Sequence, residues 1–134
     1  MKKKKVTIIG AGSTYQPELV SGLIAHRESL PLGSLYLMDI DDRKNEIVSG
    51  LSQRMLKAAG MGDVKVVLTD DLSVALQDAD YVITQIRVGG LDARIRDEKI
   101  PLRYGLLGQE TTGIGGFMKA MRTIPVMMNI ASIM

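Results

Sequence analysis

The sequence predicts an α/β fold, a parallel sheet with helices on both faces. Three observations predict it. Short apolar runs alternate with stretches of helical spacing along all 134 residues. The first run leads straight into Gly10-Ala11-Gly12-Ser13-Thr14-Tyr15, and the second closes with Asp39 beside it. That arrangement of strand, glycine turn, helix and acid is half of a dinucleotide-binding unit, a Rossmann-like sheet.

Residues 6–9 read as the first strand. A helix follows over 17–27, with Pro17 suited to its first turn and Leu19, Val20, Leu23 and Ile24 at helical spacing. Pro31 and Gly33 break the chain before a second strand at 35–40. Asp41 or Asp42 caps a longer helix to about Ala59, with Ile47, Leu51, Met55 and Leu56 on one face, and Gly60 and Gly62 end it. A third strand spans 64–68. Asp70 or Asp71 caps a short helix through Val74, Ala75 and Leu76, and 81–86 is the fourth strand. Gly89 and Gly90 open a loop, a charged helix covers 92–99, and Pro101 ends or kinks it. A glycine-dense stretch from 105 to 116 leads to an apolar helix over 117–134, interrupted by Pro125. Its methionines suit core packing, with a pliable partner surface as the other reading.

Four strands are fewer than the six of a complete dinucleotide-binding sheet, so 1–134 reads as a single, incomplete domain of a larger protein. A net charge of +2 excludes an argument for nucleic acid, and the lysines at 2–5 read as a solvated arm. The sequence has no cysteine and one histidine, His26, at the polar end of a helix, so no metal site is expected from these residues. No run is long enough for a membrane span, and Gly10 and Gly12 interrupt any secretory hydrophobic region; a cytoplasmic protein is expected.

The chemistry of the glycine turn is direct. Gly10 and Gly12 let the backbone approach a pyrophosphate, with Ala11, Ser13 and Thr14 between strand and helix N-terminus. Asp39 suits the two ribose hydroxyls of NAD and repels a 2′-phosphate, so NAD is favoured over NADP. Tyr15 stands where the third glycine of G-x-G-x-x-G belongs, a position that serves helix–strand packing rather than phosphate contact.

Two further blocks are not needed by a generic dinucleotide domain. The first, residues 85–94, carries Arg87 and Arg94 around Gly89 and Gly90 after the fourth strand. They suit a phosphate or carboxylate ligand, or else pair with Asp92, Asp97 or Glu98 on a solvated face. The second is Gly108-Gln109-Glu110-Thr111-Thr112-Gly113-Ile114-Gly115-Gly116. Glu110 suits proton chemistry, or Thr111 or Thr112 simply caps the next helix.

Taken together, the blocks resemble the N-terminal part of the family-4 glycosidases, in their 6-phospho-β-glucosidase branch. The resemblance rests on Ile9 to Tyr15 with Pro17-Glu18-Leu19, on Gln85 to Gly90, on Ile100-Pro101-Leu102 with Tyr104-Gly105, and on Gly108-Gln109-Glu110-Thr111. Tyr15 and Pro17-Glu18-Leu19 match the β-glucosidase branch.

The resemblance implies hydrolysis of 6-phospho-β-glucosides, such as cellobiose 6-phosphate, outside the two-carboxylate scheme. C3 of the sugar is oxidised by NAD, the C2 proton leaves to a tyrosine base with Mn²⁺ stabilising the charge, the leaving group departs, water adds and the hydride returns. Gly10, Gly12, Ser13, Thr14 and Asp39 then bind NAD, Arg94 with Arg87 binds the phosphorylated sugar, and Glu110 raises the basicity of the tyrosine. The tyrosine, the general acid and the metal ligands fall outside these residues, so the chain alone is expected to be inactive. Family members form homo-oligomers. Sibling specificities (6-phospho-α-glucosidase, α-galactosidase, α-glucuronidase) and a stand-alone NAD-binding or interaction module are the competing readings.

Overall fold

Burial along the first strand alternates in direction, and that decides which helix each face of the sheet meets. The computed structural model describes residues 2–134. Its elements are β1 Lys4–Ile9, α1 Gln16–Ala25, β2 Leu32–Met38, α2 Asp42–Ala58, β3 Lys65–Thr69, α3 Leu72–Leu76, β4 Tyr81–Thr84, α4 Gly90–Leu102 and α5 Gly113–Ile133. Val6 and Ile8 enter a core with Val20 and Leu23 of α1, Leu35 and Leu37 of β2 and Leu56 of α2. Thr7, between them, points the other way, and its hydroxyl donates to the Ala75 carbonyl of α3 at 2.6 Å.

All strand pairs are parallel, in the order β3-β2-β1-β4. Right-handed crossovers in that order place α1 and α2 on one face and α3 on the other. This is the first half of the 3-2-1-4-5-6 dinucleotide-binding order, the Rossmann-like arrangement expected. The chain divides into two compact units, Met1–Ile86 with the sheet and α1 to α3, and Arg87–Met134 with α4 and α5.

Three expectations need correction. β2 begins at Leu32 and ends at Met38, so Gly33 lies inside the strand and Asp39 just beyond it. The cause is a bulge: Lys4 pairs with Leu32 and Lys5 with Ser34, which leaves Gly33 as the extra residue. A Cβ at Gly33 would lie 2.7 Å from Lys3 Cβ.

The buried face of α2 is the apolar stripe only in its second half, where Leu56 is buried and Met55 packs against the core. Ile47 is 65% exposed and Leu51 is exposed too, whereas Asn45, Ser49, Ser52 and Leu56 are buried. Small polar side chains let α2 lie close to the sheet, and each finds a local partner. Asn45 Nδ2 donates to the Leu37 carbonyl at 2.9 Å, Ser49 Oγ to Asn45 Oδ1 at 2.9 Å, and Ser52 Oγ to the Val48 carbonyl at 3.0 Å. The helix is capped by Asp41, which accepts from the Lys44 N–H at 3.1 Å.

The third correction concerns α5. Its methionines and apolar residues were expected to pack in a core, yet Phe117, Met121, Ile124, Met128 and Ile133 are exposed, and only Gly115 and Ile130 are buried. The helix starts four residues early, at Gly113, because glycine fits its first turn against backbone. A Cβ on Gly115 would lie 1.9 Å from the Gln109 carbonyl oxygen and 2.8 Å from that of Asp97. Pro101, inside the last turn of α4, lacks the N–H that would have bonded the Asp97 carbonyl. The glycine-dense stretch is thus used for close packing of backbone on backbone.

The polar face of α2 yields a direct contrast. Ser49→Leu is expected to lower stability by about 1–3 kcal/mol through overpacking, while Ile47→Ser is expected to stay within about 0.5 kcal/mol. Urea unfolding followed by circular dichroism measures both, and equal effects would contradict the buried polar face.

Candidate functional site

In the first unit the glycine turn is built around the carbonyl end of β1. Gly10 leaves the strand at φ +89°, and a Cβ there would lie 2.8 Å from the Gln85 carbonyl oxygen. Only glycine takes that conformation in that space without strain. The N–H groups of Gly10 and Ala11 both donate to the Met38 carbonyl, at 2.9 and 3.0 Å. The turn then closes on itself, with Ser13 N–H donating to the Gly10 carbonyl at 3.2 Å and Gln16 N–H to that of Ser13 at 3.0 Å.

Asp39 is held against this turn. Its Oδ2 accepts from the Gly12 N–H at 2.7 Å, and its Oδ1 from the Asp41 N–H at 2.9 Å. A Cβ on Gly12 would lie 3.0 Å from Asp39 Oδ2, so glycine is what allows the close approach. A carboxylate has about four acceptor positions, so about two remain beyond the bonds from Gly12 and Asp41. Tyr15, at the N-cap of α1, makes no side-chain cap.

Gln16 was not singled out by sequence. It is fully buried, accepts through Oε1 from Gln85 Nε2 at 2.8 Å, and so ties the start of α1 to the end of β4. Its Nε2 is buried without a hydrogen-bond partner. A glycine cradle, a positioned acid and an orphaned donor fit a dinucleotide.

In the second unit three cations converge on one acid. Glu110 Oε2 lies 2.5 Å from Arg87 Nη1, 3.5 Å from Arg94 Nε and 3.9 Å from Lys119 Nζ. Arg94 Nε also binds Glu98 Oε1 at 2.8 Å, one turn along α4, so part of the arginine pairing anticipated from sequence occurs beside the cluster. Partial burial pushes the Glu110 carboxyl up, but the Arg87 hydrogen bond and the charges of Arg87, Lys119 and Arg94 outweigh it and hold the group below its ordinary range. Glu110 is therefore ionised at neutral pH. Thr112 takes the N-cap position of α5 without a side-chain hydrogen bond.

Behind the cluster, Asp97 is 2% exposed and grips Arg122 of α5 with both oxygens, Oδ1 to Nη1 at 2.9 Å and Oδ2 to Nη2 at 2.5 Å. Arg122 holds the Asp97 carboxyl below the usual carboxylate range, against the opposing pull of burial. Lys119 and Arg122 were missed from sequence, although they are the only charged residues in α5 and stand three apart on one face. Among the described residues no three His, Asp or Glu side chains gather to hold a metal ion, and no helix is long and apolar enough to cross a membrane. His26 is exposed.

With this geometry in place, comparison with known proteins is decisive. A model of the family described as "Family 4 glycosyl hydrolase" matches residues 5–134. The chain belongs to that family. It is 50% identical over 132 residues to the probable 6-phospho-beta-glucosidase of Bacillus subtilis, covering 97% of this chain and 30% of that protein. It is 49% identical to the 6-phospho-beta-glucosidase of Escherichia coli, covering 96% of this chain and 29% of that one. Among solved structures, the Thermotoga maritima 6-phospho-beta glucosidase with NAD and glucose-6-phosphate superposes with a TM-score of 0.92 at 42% identity, covering 98% of this chain and 31% of that one. A 6-phospho-alpha-glucosidase of Lacticaseibacillus paracasei matches at a lower 39%. The chain thus spans about 30% of the length of these relatives.

The depressed Asp97 carboxyl fixes a pH dependence. A carboxyl whose folded pKa lies below its unfolded value of about 3.9 stabilises the fold fully above that value and stops doing so as pH falls through the folded pKa. The difference in unfolding midpoint between wild type and Asp97→Asn is expected to be flat from pH 7 to about 5 and to shrink below about 4. A difference that grows on acidification would contradict the ion pair.

Proposed function

We propose that this chain is the NAD-binding part, residues 1–134, of a 6-phospho-β-glucosidase that hydrolyses 6-phospho-β-glucosides such as cellobiose 6-phosphate. The observation that carries the reading is Asp39 held at 2.7 Å on the Gly12 N–H, which sets a ribose-binding acid directly against a pyrophosphate turn. The β-glucosidase names of the relatives near 50% identity support the substrate class.

In this reading Gly10 and Gly12 let a pyrophosphate approach the backbone, and Ala11, Ser13 and Thr14 lead into the α1 N-terminus that meets its charge, while the N–H groups of Gly10, Ala11, Gly12 and Ser13 are engaged in holding the turn itself. Asp39 takes the adenosine ribose hydroxyls and excludes a 2′-phosphate. Bound NAD supplies reversible hydride acceptance at a sugar carbon, so the reaction is hydrolysis without net oxidation. Arg87 and Arg94 bind the phosphate of the substrate. Glu110, ionised among its cations, lies near the tyrosine base as a negative charge that favours the protonated phenol and so raises its basicity. The tyrosine and the Mn²⁺ ligands belong to other parts of the enzyme. The reading includes homo-oligomers and a cytoplasmic location, where NAD and phosphorylated sugars are retained.

The test is the full-length enzyme supplied with NAD⁺, Mn²⁺ and a reductant. It is expected to release aglycone from a chromogenic 6-phospho-β-glucoside faster than from its α-anomer, while the 134-residue chain alone releases none. Cleavage of the α-anomer only would assign the sibling specificity, and no cleavage of either would sink the reading. Asp39→Ala is expected to weaken NAD⁺ binding by about 10- to 100-fold, the loss of one or two hydrogen bonds to a charged group. It is also expected to narrow the preference over NADP⁺, measured by equilibrium titration of both nucleotides.

A further inference from the structure

We infer that Asp97 and Arg122 are a positioning pair for the phosphosugar site, setting the directions of the three cations that surround Glu110; this rests on the substrate-binding role proposed for Arg87 and Arg94. The Arg122 guanidinium holds three segments at once. It binds both oxygens of Asp97 on α4, donates through Nη1 to the Met118 carbonyl of its own helix at 3.2 Å, and reaches the Val88 carbonyl of the preceding loop through Nε at 3.4 Å. Val88 follows Arg87 directly, Asp97 stands three residues beyond Arg94 on the same helix, and Lys119 stands three residues before Arg122. Each cation around Glu110 is therefore within one helical turn of an atom that this guanidinium fixes.

The loop has little freedom to compensate. Gly89 has φ +82°, and a Cβ there would lie 2.6 Å from Ala93 Cβ and 3.5 Å from Arg122 Nε. The loop is thus seated between the first turn of α4 and the guanidinium. Removing Arg122 leaves the Val88 carbonyl without this donor and the turn without its floor.

Stability alone does not account for such a pair. Burying an ion pair costs desolvation that its attraction seldom exceeds, and apolar replacements of similar volume are often equally stable. Asp97 is also spent entirely on Arg122, so the pair is neutral and adds no charge to the site. Its contribution is geometric. A planar fork fixes direction as well as distance, whereas lysine, a point charge on a flexible stem, cannot hold the carboxylate and the Val88 carbonyl together. Misplacement of substrate-positioning groups by about 1 Å costs about 100-fold in rate, so a small loss of order here is large at the substrate.

The experiment uses the full-length enzyme with NAD⁺ and Mn²⁺ and compares wild type, Arg94→Ala, Arg122→Lys, Asp97→Asn and the apolar double variant Asp97→Leu/Arg122→Met. Read-outs are KM and kcat for a 6-phospho-β-glucoside, NAD⁺ affinity and the thermal midpoint. Arg122→Lys and Asp97→Asn are expected to raise KM about 10-fold or more, with NAD⁺ affinity unchanged. The double variant is expected to recover the thermal midpoint while KM stays high. A merely structural pair predicts the reverse, with KM returning alongside the midpoint, and that result overturns the inference. Should the single variants not fold, the double variant decides alone. If Arg94→Ala raises KM while the folded pair variants leave it unchanged, the site stands and the positioning role falls. If Arg94→Ala itself leaves KM unchanged, the substrate-binding role falls and the positioning role with it.

Discussion

The first unit depends on one close approach, that of Gly10 to the Gln85 carbonyl at the point where β1 ends between its neighbours β2 and β4. A side chain of any size there would push apart the carbonyl ends of two adjacent parallel strands. The left-handed turn also puts two consecutive N–H groups on the Met38 carbonyl, so the chain leaves β1 pinned to the end of β2. Asp39, the next residue after Met38, is carried to the turn by the same pinning. One backbone conformation thus sets the exit of β1, the direction of α1 and the place of the acid, which is why a nucleotide site can stand on so few side chains.

The second unit is organised by charge rather than by glycine conformation. Two acids, Asp97 and Glu110, are placed among Arg87, Arg94, Lys119 and Arg122, and the two are treated differently. Asp97 is enclosed and satisfied by one guanidinium in a two-point grip, an arrangement suited to fixing α4 against α5. Glu110 is shared among three cations at graded distances, so none is committed to it in the way Arg122 is committed to Asp97. Within this unit an incoming anion would meet cations already paired with Glu110. Shared, partly exposed pairs are cheaper to rearrange than enclosed ones.

Much of the first unit was legible because its signals are local. The glycine turn, the acid and the caps at Asp41 and Asp71 each depend on neighbours within a few residues. What was misread depended on distant partners. The bulge at Gly33 follows from pairing with Lys4 and Lys5 across the sheet, and no run of residues announces it. On α2, Ile47 and Leu51 have the right period but the wrong side, because Asn45 finds the Leu37 carbonyl only once the sheet exists. In α5 the density of methionine drew the eye from Lys119 and Arg122, whose meaning comes from Glu110 and Asp97 in other segments. Arg87 of the loop and Arg94 of α4 were legible as a candidate anion site, but Arg122, which reaches the loop at the Val88 carbonyl, was not.

In the proposed reading, the two candidate sites divide the recognition of anions by chemistry. A pyrophosphate on the glycine turn would meet the end of α1, with the carboxylate of Asp39 beside it. That choice has a consequence for selectivity. An arginine on the turn would add affinity for any phosphate, the 2′-phosphate of NADP included, and would cancel the repulsion that Asp39 supplies. A sugar phosphate, by contrast, is a small dianion with no second handle of comparable charge, and neutral donors alone would hold it weakly. Full cations are required, and full cations crowded together repel unless a counter-ion stands among them. In the second unit Glu110 stands among three cations as such a counter-ion, and its depressed pKa keeps it charged at neutral pH. In that reading a helix end with one acid suits the ligand that must be distinguished from a near twin, and cations with one acid suit the ligand that must be held by its charge.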